Sequence, residues 1–305
     1  MISGRSLFFA ILLFLLTLAP GTPASLALAA DTETPQQLLI GLIPEINVFV
    51  QVERYEPLGE YISKHSGVRI EFTILSSYGN IIDSFRAMKM DGAFFGSFTG
   101  AMAMERLGVT PIVRPVNLDG ESSSYGLIVV RKDAGISSVR DMKGKRIAFV
   151  DRATTAGYIF PLAYFRKHGL ENIEEFFSEF YFAGSHDAAI YDVFNGMADI
   201  GTAKNTVFQN IREKEPAVAA SLRVIATSRK VPSNSLCLRT DIGAGLVKKI
   251  KTILLKMDQS PEGRRVLKKF GARRFVETTV ESYDPVMKIS GDAGISIKNY
   301  SYQNR

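Results

Sequence analysis

The residues best suited to chemistry sit in one strand-to-helix turn, Arg146-Ile147-Ala148-Phe149-Val150-Asp151-Arg152-Ala153-Thr154-Thr155-Ala156-Gly157-Tyr158. An apolar strand runs into two hydroxyls and a glycine, and then into a helical pattern. The first turn of a helix carries unpaired N–H groups at the positive end of its dipole. Two Thr hydroxyls add donors, and Gly157 admits close backbone approach. Thr154, Thr155, Ala156 and Gly157 therefore suit an oxyanion, although a plain Thr N-cap uses the same residue types. No Lys follows the glycine, so this is not a P-loop. Gly184-Ser185-His186-Asp187 also precedes a helical pattern. There His186 could donate to an anion, and Asp187 could serve as a cap. Pro44-Glu45-Ile46-Asn47, Ser76-Ser77-Tyr78 and Gly96-Ser97-Phe98-Thr99-Gly100 follow three other predicted strands. Capping explains each loop alone; it explains less well why small and hydroxylated residues recur at several strand ends.

Other chemistries find little support. The three His, at 65, 168 and 186, lack metal-ligand spacing. There is no GxSxG elbow and no GxGxxG after a strand, so no cofactor is expected. Ser185, His186 and Asp187 are consecutive and cannot by themselves form a hydrolase triad. An exported hydrolase would have to assemble a Ser or Thr, His186 and an Asp from separate segments.

The elements that must position these loops alternate. Leu38 to Ile43 is a continuous apolar run and predicts a buried strand. Tyr55 to Ser66 places Leu58, Tyr61 and Ile62 at helical spacing, with Gly67 as a stop. Val68 to Leu75 alternates as a strand, and a helix follows to about Met90. Gly92 to Gly96 predicts a short strand, Ala101 to Leu107 a helix, and 111–116 a strand. Further strands are expected at 127–131, 147–151, 199–201, 222–227 and 236–239, and helices at 155–167, 187–195, 242–256 and 261–269. The tail from about Ile295 is polar and expected to be loose. Such alternation gives an α/β fold with mostly parallel sheets. The pattern allows either one doubly wound sheet or two smaller lobes. In both cases ligands are expected outside the carboxyl ends of the strands.

The chain has 305 residues, with 37 Lys and Arg against 31 Asp and Glu, a formal charge of +6. A composition 46% hydrophobic and 22% charged excludes a disordered chain, and the single Cys237 excludes a disulfide scaffold. Only the N-terminus approaches a membrane-length apolar run. There Arg5 precedes the uncharged stretch Ser6 to Ala19, Pro20 and Gly21 break it, and Ala27-Leu28-Ala29-Ala30 follows. This is the layout of a secretory signal peptide over residues 1–30, cleaved after Ala29 or Ala30. The product is expected to be exported and soluble, and a lone Cys fits an oxidising compartment. Arg5 is the only charge removed, so the remainder is +5, which mildly favours anionic ligands. It lacks the Lys/Arg stripe of a nucleic-acid binder.

Several segments occur in a fixed order. They are Ile43-Pro44, Tyr55-x-Pro57-Leu58, Ser77-Tyr78, Asp91 to Gly96, Ile128 to Asp133, Asp141 to Phe149, Thr154-Thr155-Ala156-Gly157 with Pro161, Ser185-His186-Asp187, Asp199-Ile200-Gly201, and Ser228 to Asn234 with Pro232. Together, over roughly 38 to 285, this set resembles the exported substrate-binding component of phosphonate, phosphite and phosphate ABC importers. The resemblance implies a type II periplasmic-binding-protein fold. That fold has two α/β lobes, each a mostly parallel sheet with flanking helices, joined by two crossover strands. Lobe one would be 38–122 plus 229–300 and lobe two 123–228. It further implies a periplasmic monomer that closes on a small oxyanion and presents itself to a membrane ABC permease, or to a sensory receptor or kinase. No enzyme activity is implied.

The site residues carry over one by one. The family's oxyanion turn reads Ser-Thr-Ser-Gly; here Thr154-Thr155-Ala156-Gly157 lacks one hydroxyl, at Ala156. His186 and Tyr78 match a family histidine and tyrosine. Another family tyrosine falls at Ser124, and Tyr125 is one place along, which in a strand is the opposite face. Ser97 and Glu45 complete the expected ligand contacts, with Asn234 and Asn205. These two Asn stand at or near positions where relatives that bind an amine carry acids. A buried ammonium without a carboxylate costs on the order of several kcal/mol. 2-Aminoethylphosphonate is therefore not the expected ligand; a small oxyanion without an amine is. A ferric-ion binder on the same fold would need adjacent tyrosines, which are absent.

Overall fold

The computed structural model describes residues 37–302; the candidate signal peptide lies outside the described residues. In chain order the strands are β1 (Gln37–Leu42), β2 (Arg69–Ile74), β3 (Gly92–Phe95), β4 (Val109–Asn117), β5 (Ser123–Ser124), β6 (Gly126–Arg131), β7 (Arg146–Phe149), β8 (Glu179–Phe182), β9 (Ile200–Lys204), β10 (Leu222–Thr227), β11 (Val231–Pro232), β12 (Ser235–Arg239) and β13 (Ala272–Glu277). They form a six-stranded sheet, β13-β4-β12-β3-β1-β2, a five-stranded sheet, β10-β6-β9-β7-β8, and the short ribbon β11-β5. The chain passes from the first sheet to the second through β5 and returns through β11. These two strands pair antiparallel, Val231 opposite Ser124.

The α/β class holds, but the sheets are mixed rather than mostly parallel. In the first, β1 runs parallel to β2 and β3, whereas β12 is antiparallel to β3 and β4, and β13 to β4. In the second, β7 is parallel to β8 and β9, whereas β6 is antiparallel to β9 and β10. The reversed strands are β6 in the second sheet, entered from the ribbon after β5, and β12 and β13 in the first, of which β12 is entered from the ribbon after β11.

β1 reads as continuous apolar residues because both of its faces are covered. Leu38, Ile40 and Leu42 join one core with Leu58, Phe94, Phe270 and Phe275. The other face opens into a second core that continues without a break from Phe95 and Phe98 to Phe149 of the second sheet and Tyr158 beside it. The first helix begins two turns earlier than its amphipathic pattern, at Val48–Ser66, because Asn47 accepts a bond from Phe49 N and caps it. Its opening residues are exposed, Phe49 by 81%, so burial periodicity carries no signal there. The C-terminal tail is docked rather than loose. Arg106 donates to the carbonyls of Ile297 (2.7 Å), Lys298 (3.0 Å) and Tyr300 (3.0 Å), while Ile297 and Tyr302 are buried.

Candidate functional site

The loops at the carboxyl ends of β1, β2, β3, β7, β8 and β9 meet in one small cavity between the two sheets. It measures about 30 Å³ and its lining includes Glu45, Tyr78, Ser97, Ser124, Thr154, Thr155, Ala156, His186, Lys204 and Asn234. A larger groove of about 420 Å³ runs between the Val48–Ser66 helix and the edge strand β2. It is lined by Tyr55, Phe72, Glu56 and Glu60 among others, and no helix starts within it. Size therefore does not identify the site; converging donors do.

Three helical starts point into the small cavity. The helix Ser97–Leu107 begins after Gly96 with no side-chain cap, and its first helical bond is Gly100 N to Gly96 O. A π-helical turn, Thr155–Ile159, begins after Thr154. Tyr158 N and Ile159 N both bond to Thr154 O, so the N–H groups of Thr155, Ala156 and Gly157 lie ahead of the first turn. The helix His186–Phe194 is capped by Ser185, whose Oγ accepts from Ala188 N. Two buried polar atoms of the same lining have no partner, Tyr78 Oη and His186 Nδ1. The two rings meet edge to face at 6.1 Å. Buried polar atoms are almost always paired, so two unpaired ones in a single lining set this cavity apart.

Burial lowers the His186 imidazole to about 4, with Glu45 opposing and Lys204 assisting, so the ring is neutral at neutral pH. A neutral imidazole is one donor and one acceptor. Burial and the nearby Glu45 carboxylate push the Tyr78 hydroxyl well up, so it keeps its proton and can donate. Burial alone would raise the Glu45 carboxyl, but the Lys204 ammonium and then Arg54 outweigh it and bring it to about 2.

Contacts across the cavity join the loops of the two sheets. Ser97 Oγ and Thr155 Oγ1 are 2.7 Å apart. Lys204 Nζ donates to Glu45 Oε1 at 2.5 Å and to Asn234 Oδ1 at 3.1 Å. Within the first sheet's own loops, Asn234 Nδ2 donates to Glu45 Oε2 at 3.1 Å. His186 N donates to Glu45 O at 3.3 Å, and Asn47 N to Asp187 Oδ2 at 2.9 Å. Asp187 is thus engaged across the cavity, and Ser185 is the cap.

Of the residues singled out in the sequence, Glu45, Tyr78, Ser97, Thr154, Thr155, Ala156, His186 and Asn234 line this cavity. Three do not. Tyr125 faces away, and the cavity position falls to Ser124, because adjacent residues of an extended segment point to opposite sides. Asn205 is committed elsewhere: its Oδ1 accepts from Tyr125 N at 2.8 Å and its own N–H donates to Tyr125 O at 3.0 Å. Gly157 serves packing, since a Cβ there would lie 2.4 Å from Val150 Cβ. Thr154 lines the cavity, but its hydroxyl donates to Asp151 O at 2.6 Å, so it offers an anion no proton. Lys204 is the polar lining residue that the sequence motifs missed. Lys204 ends β9, and its place at a strand end, shared with the other contributors, is the signal that could have found it.

Known proteins share this architecture. The probable ABC transporter phosphite binding protein PhnD1 of Prochlorococcus marinus is 24% identical over 266 residues, covering 84% of this chain and 89% of that protein. A structure of PhnD1 in complex with methylphosphonate aligns with a TM-score of 0.76, at 23% identity over 85% of this chain and 99% of its own. The phosphate-import protein PhnD of Mycolicibacterium smegmatis is 27% identical over 72% of this chain and 71% of its own length. The crystal structure of a binding protein component of an ABC phosphonate transporter from Pseudomonas aeruginosa gives a TM-score of 0.78, at 22% identity over 86% of this chain and 87% of that one. The family described as ABC transporter, phosphonate, periplasmic substrate-binding protein matches residues 40–283, which spans both sheets and every cavity residue named above, and the chain belongs to that family.

Proposed function

We propose that this protein is exported to the periplasm, captures one small phosphorus oxyanion of the phosphonate, phosphite or phosphate type in the cavity between its sheets, and delivers it as a monomer to a membrane permease. The observation that carries the reading is the convergence of three helical starts with the unpartnered Tyr78 Oη and His186 Nδ1. All of these can be donors, and a tetrahedral oxyanion offers acceptors in every direction. The neutral His186 and the internally paired Lys204 and Glu45 leave recognition to hydrogen bonds, as suits a ligand that must be released again. Catalysis has no obvious machinery here: the Ser97 and Thr155 hydroxyls bond to each other rather than to a base.

Movement of 38–122 plus 229–300 against 123–228 about the β5–β11 ribbon would open the cavity. The division is supported by the two separate sheets and by the five contacts that join their loops across the cavity.

Calorimetry on protein stripped of ligand by unfolding and refolding tests the assignment, with phosphate, phosphite, methylphosphonate, 2-aminoethylphosphonate, sulfate and a ferric chelate as titrants. The expected result is tight binding of one phosphorus oxyanion, weakened at least about 10-fold, or 1.4 kcal/mol, in Thr155→Ala and His186→Ala. Silence across the panel would remove the phosphorus assignment.

A further inference from the structure

Lys204 is 8% exposed and Glu45 7%. Lys204 comes from the second sheet, while Glu45 and Asn234 come from loops of the first. The ammonium therefore reaches across the cavity into acceptors on the far side. Those acceptors are a carboxylate and an amide oxygen, themselves tied together through Asn234 Nδ2. This is the set that would hold a primary ammonium from any source. Nothing in its geometry requires the ammonium to be tethered to the chain.

We propose that Glu45 and Asn234 form a cation subsite beside the oxyanion site, that Lys204 plugs it from within the protein, and that the plug restricts the pocket to oxyanions without a cationic arm. The inference rests on reading the cavity as an anion site. Space and charge both argue for it. With Lys204 in place the cavity is about 30 Å³, on the order of one water molecule's volume, so a headgroup enters only as the loops part, and the Lys204 stem takes up space that a side arm would need. Lys204 also neutralises Glu45, so an incoming ammonium would meet a cation and find no free carboxylate. Rejection of this kind is an efficient source of specificity. The sequence carries one acid for this subsite, Glu45, and the same chain supplies the cation that occupies it.

The test removes the plug. Lys204→Ala frees the carboxylate and the volume of the lysine stem; Lys204→Met removes the charge and keeps the bulk. Methylphosphonate and 2-aminoethylphosphonate are titrated into wild type, both variants and Lys204→Ala/Glu45→Gln. Wild type is expected to favour methylphosphonate by about 10-fold or more, and Lys204→Ala to reverse the preference by a similar factor. Lys204→Met gains nothing, and adding Glu45→Gln abolishes the gain. In a second arm, methylammonium chloride alone raises the thermal midpoint of Lys204→Ala and leaves wild type unchanged. That arm needs no phosphorus ligand, so it still reports on the subsite if the oxyanion assignment fails. If Lys204→Ala does not fold in plain buffer, refolding in methylammonium restores its native circular dichroism. The proposal is overturned if wild type binds 2-aminoethylphosphonate as tightly as methylphosphonate. It is equally overturned if Lys204→Ala neither reverses the preference nor responds to methylammonium.

Discussion

The buried His186 makes the stability of this protein fall on mild acidification, by an amount that can be worked out. Burial sets its ring at about 4 in the folded chain against an ordinary 6.5. The folded value is the lower one, so the unfolded chain takes up the proton first as pH falls. Stability from this group is complete above about 6.5 and is lost progressively as pH drops toward 4. Between pH 7 and pH 5 the linkage amounts to about 2 kcal/mol, and by pH 4 to about 3 kcal/mol. Glu45 has the same sign but acts lower, since its carboxyl lies at about 2 against 4.5. A comparison of pH 7 with pH 5 therefore isolates the histidine. The assay is urea unfolding in phosphate-free buffers, on wild type and on His186→Asn, which keeps a donor and an acceptor but does not titrate. His65 and His168 are exposed and present in both proteins, so they cancel. Wild type should lose about 2 kcal/mol more than the variant over this interval. Equal losses would refute the claim that His186 is held neutral by burial.

Tyr78→Phe removes a buried hydroxyl that has no partner in the protein. Its thermal stability should be unchanged or higher by about 1 kcal/mol, while calorimetry should show weaker anion binding; a clear loss of stability would show that the hydroxyl is already bonded. Glu45→Gln and Lys204→Met should each cost about 3–5 kcal/mol in urea unfolding, and the double variant far less than their sum, because a single change leaves one charge buried alone. Additive costs would mean the ion pair is not the source. Gly157→Ala should lose about 1–3 kcal/mol in urea unfolding through overpacking, because its Cβ would lie 2.4 Å from Val150 Cβ and 2.6 Å from Thr154 Oγ1. A fully stable Gly157→Ala would contradict the packing role.

The architecture was legible wherever burial imposes a period. β1, β4, β6, β7, β10 and β12 all lie where apolar runs or alternation predict strands, and the helix expected at Ala101–Leu107 ends at Gly108 as predicted but begins one turn earlier, at Ser97. Elements were missed where the period is blurred. β8, Glu179–Phe182, has one exposed and three half-buried residues in an aromatic-rich segment that fits no single template. β13, Ala272–Glu277, carries two adjacent arginines and reads as loop, yet it pairs with β4 and buries Phe275. The tail looked loose because Lys298, Asn299 and Gln303 dominate its composition; its anchors, Ile297 and Tyr302, are sparse, and Arg106 lies far away in sequence.

Within the site, the readable residues are those whose job is local. Ser185, His186 and Thr155 sit at helical starts, and a helical start is written in consecutive residues. Whether a hydroxyl is free to serve a ligand is not written that way. Thr154 and Thr155 look alike in sequence, but one donates to the carbonyl three residues back and the other meets Ser97 across the cavity. Lys204 is the extreme case. A lysine between an apolar strand and a polar helix reads as a solvated strand end, and it becomes a buried charge only because Glu45, 159 positions earlier, arrives opposite it. The absence of acids around Asn205 and at Asn234 argued against an amine-bearing ligand on the ground that no carboxylate would meet it. The cavity does hold a carboxylate, that of Glu45, and the stronger ground for the same conclusion is that its partner is already present.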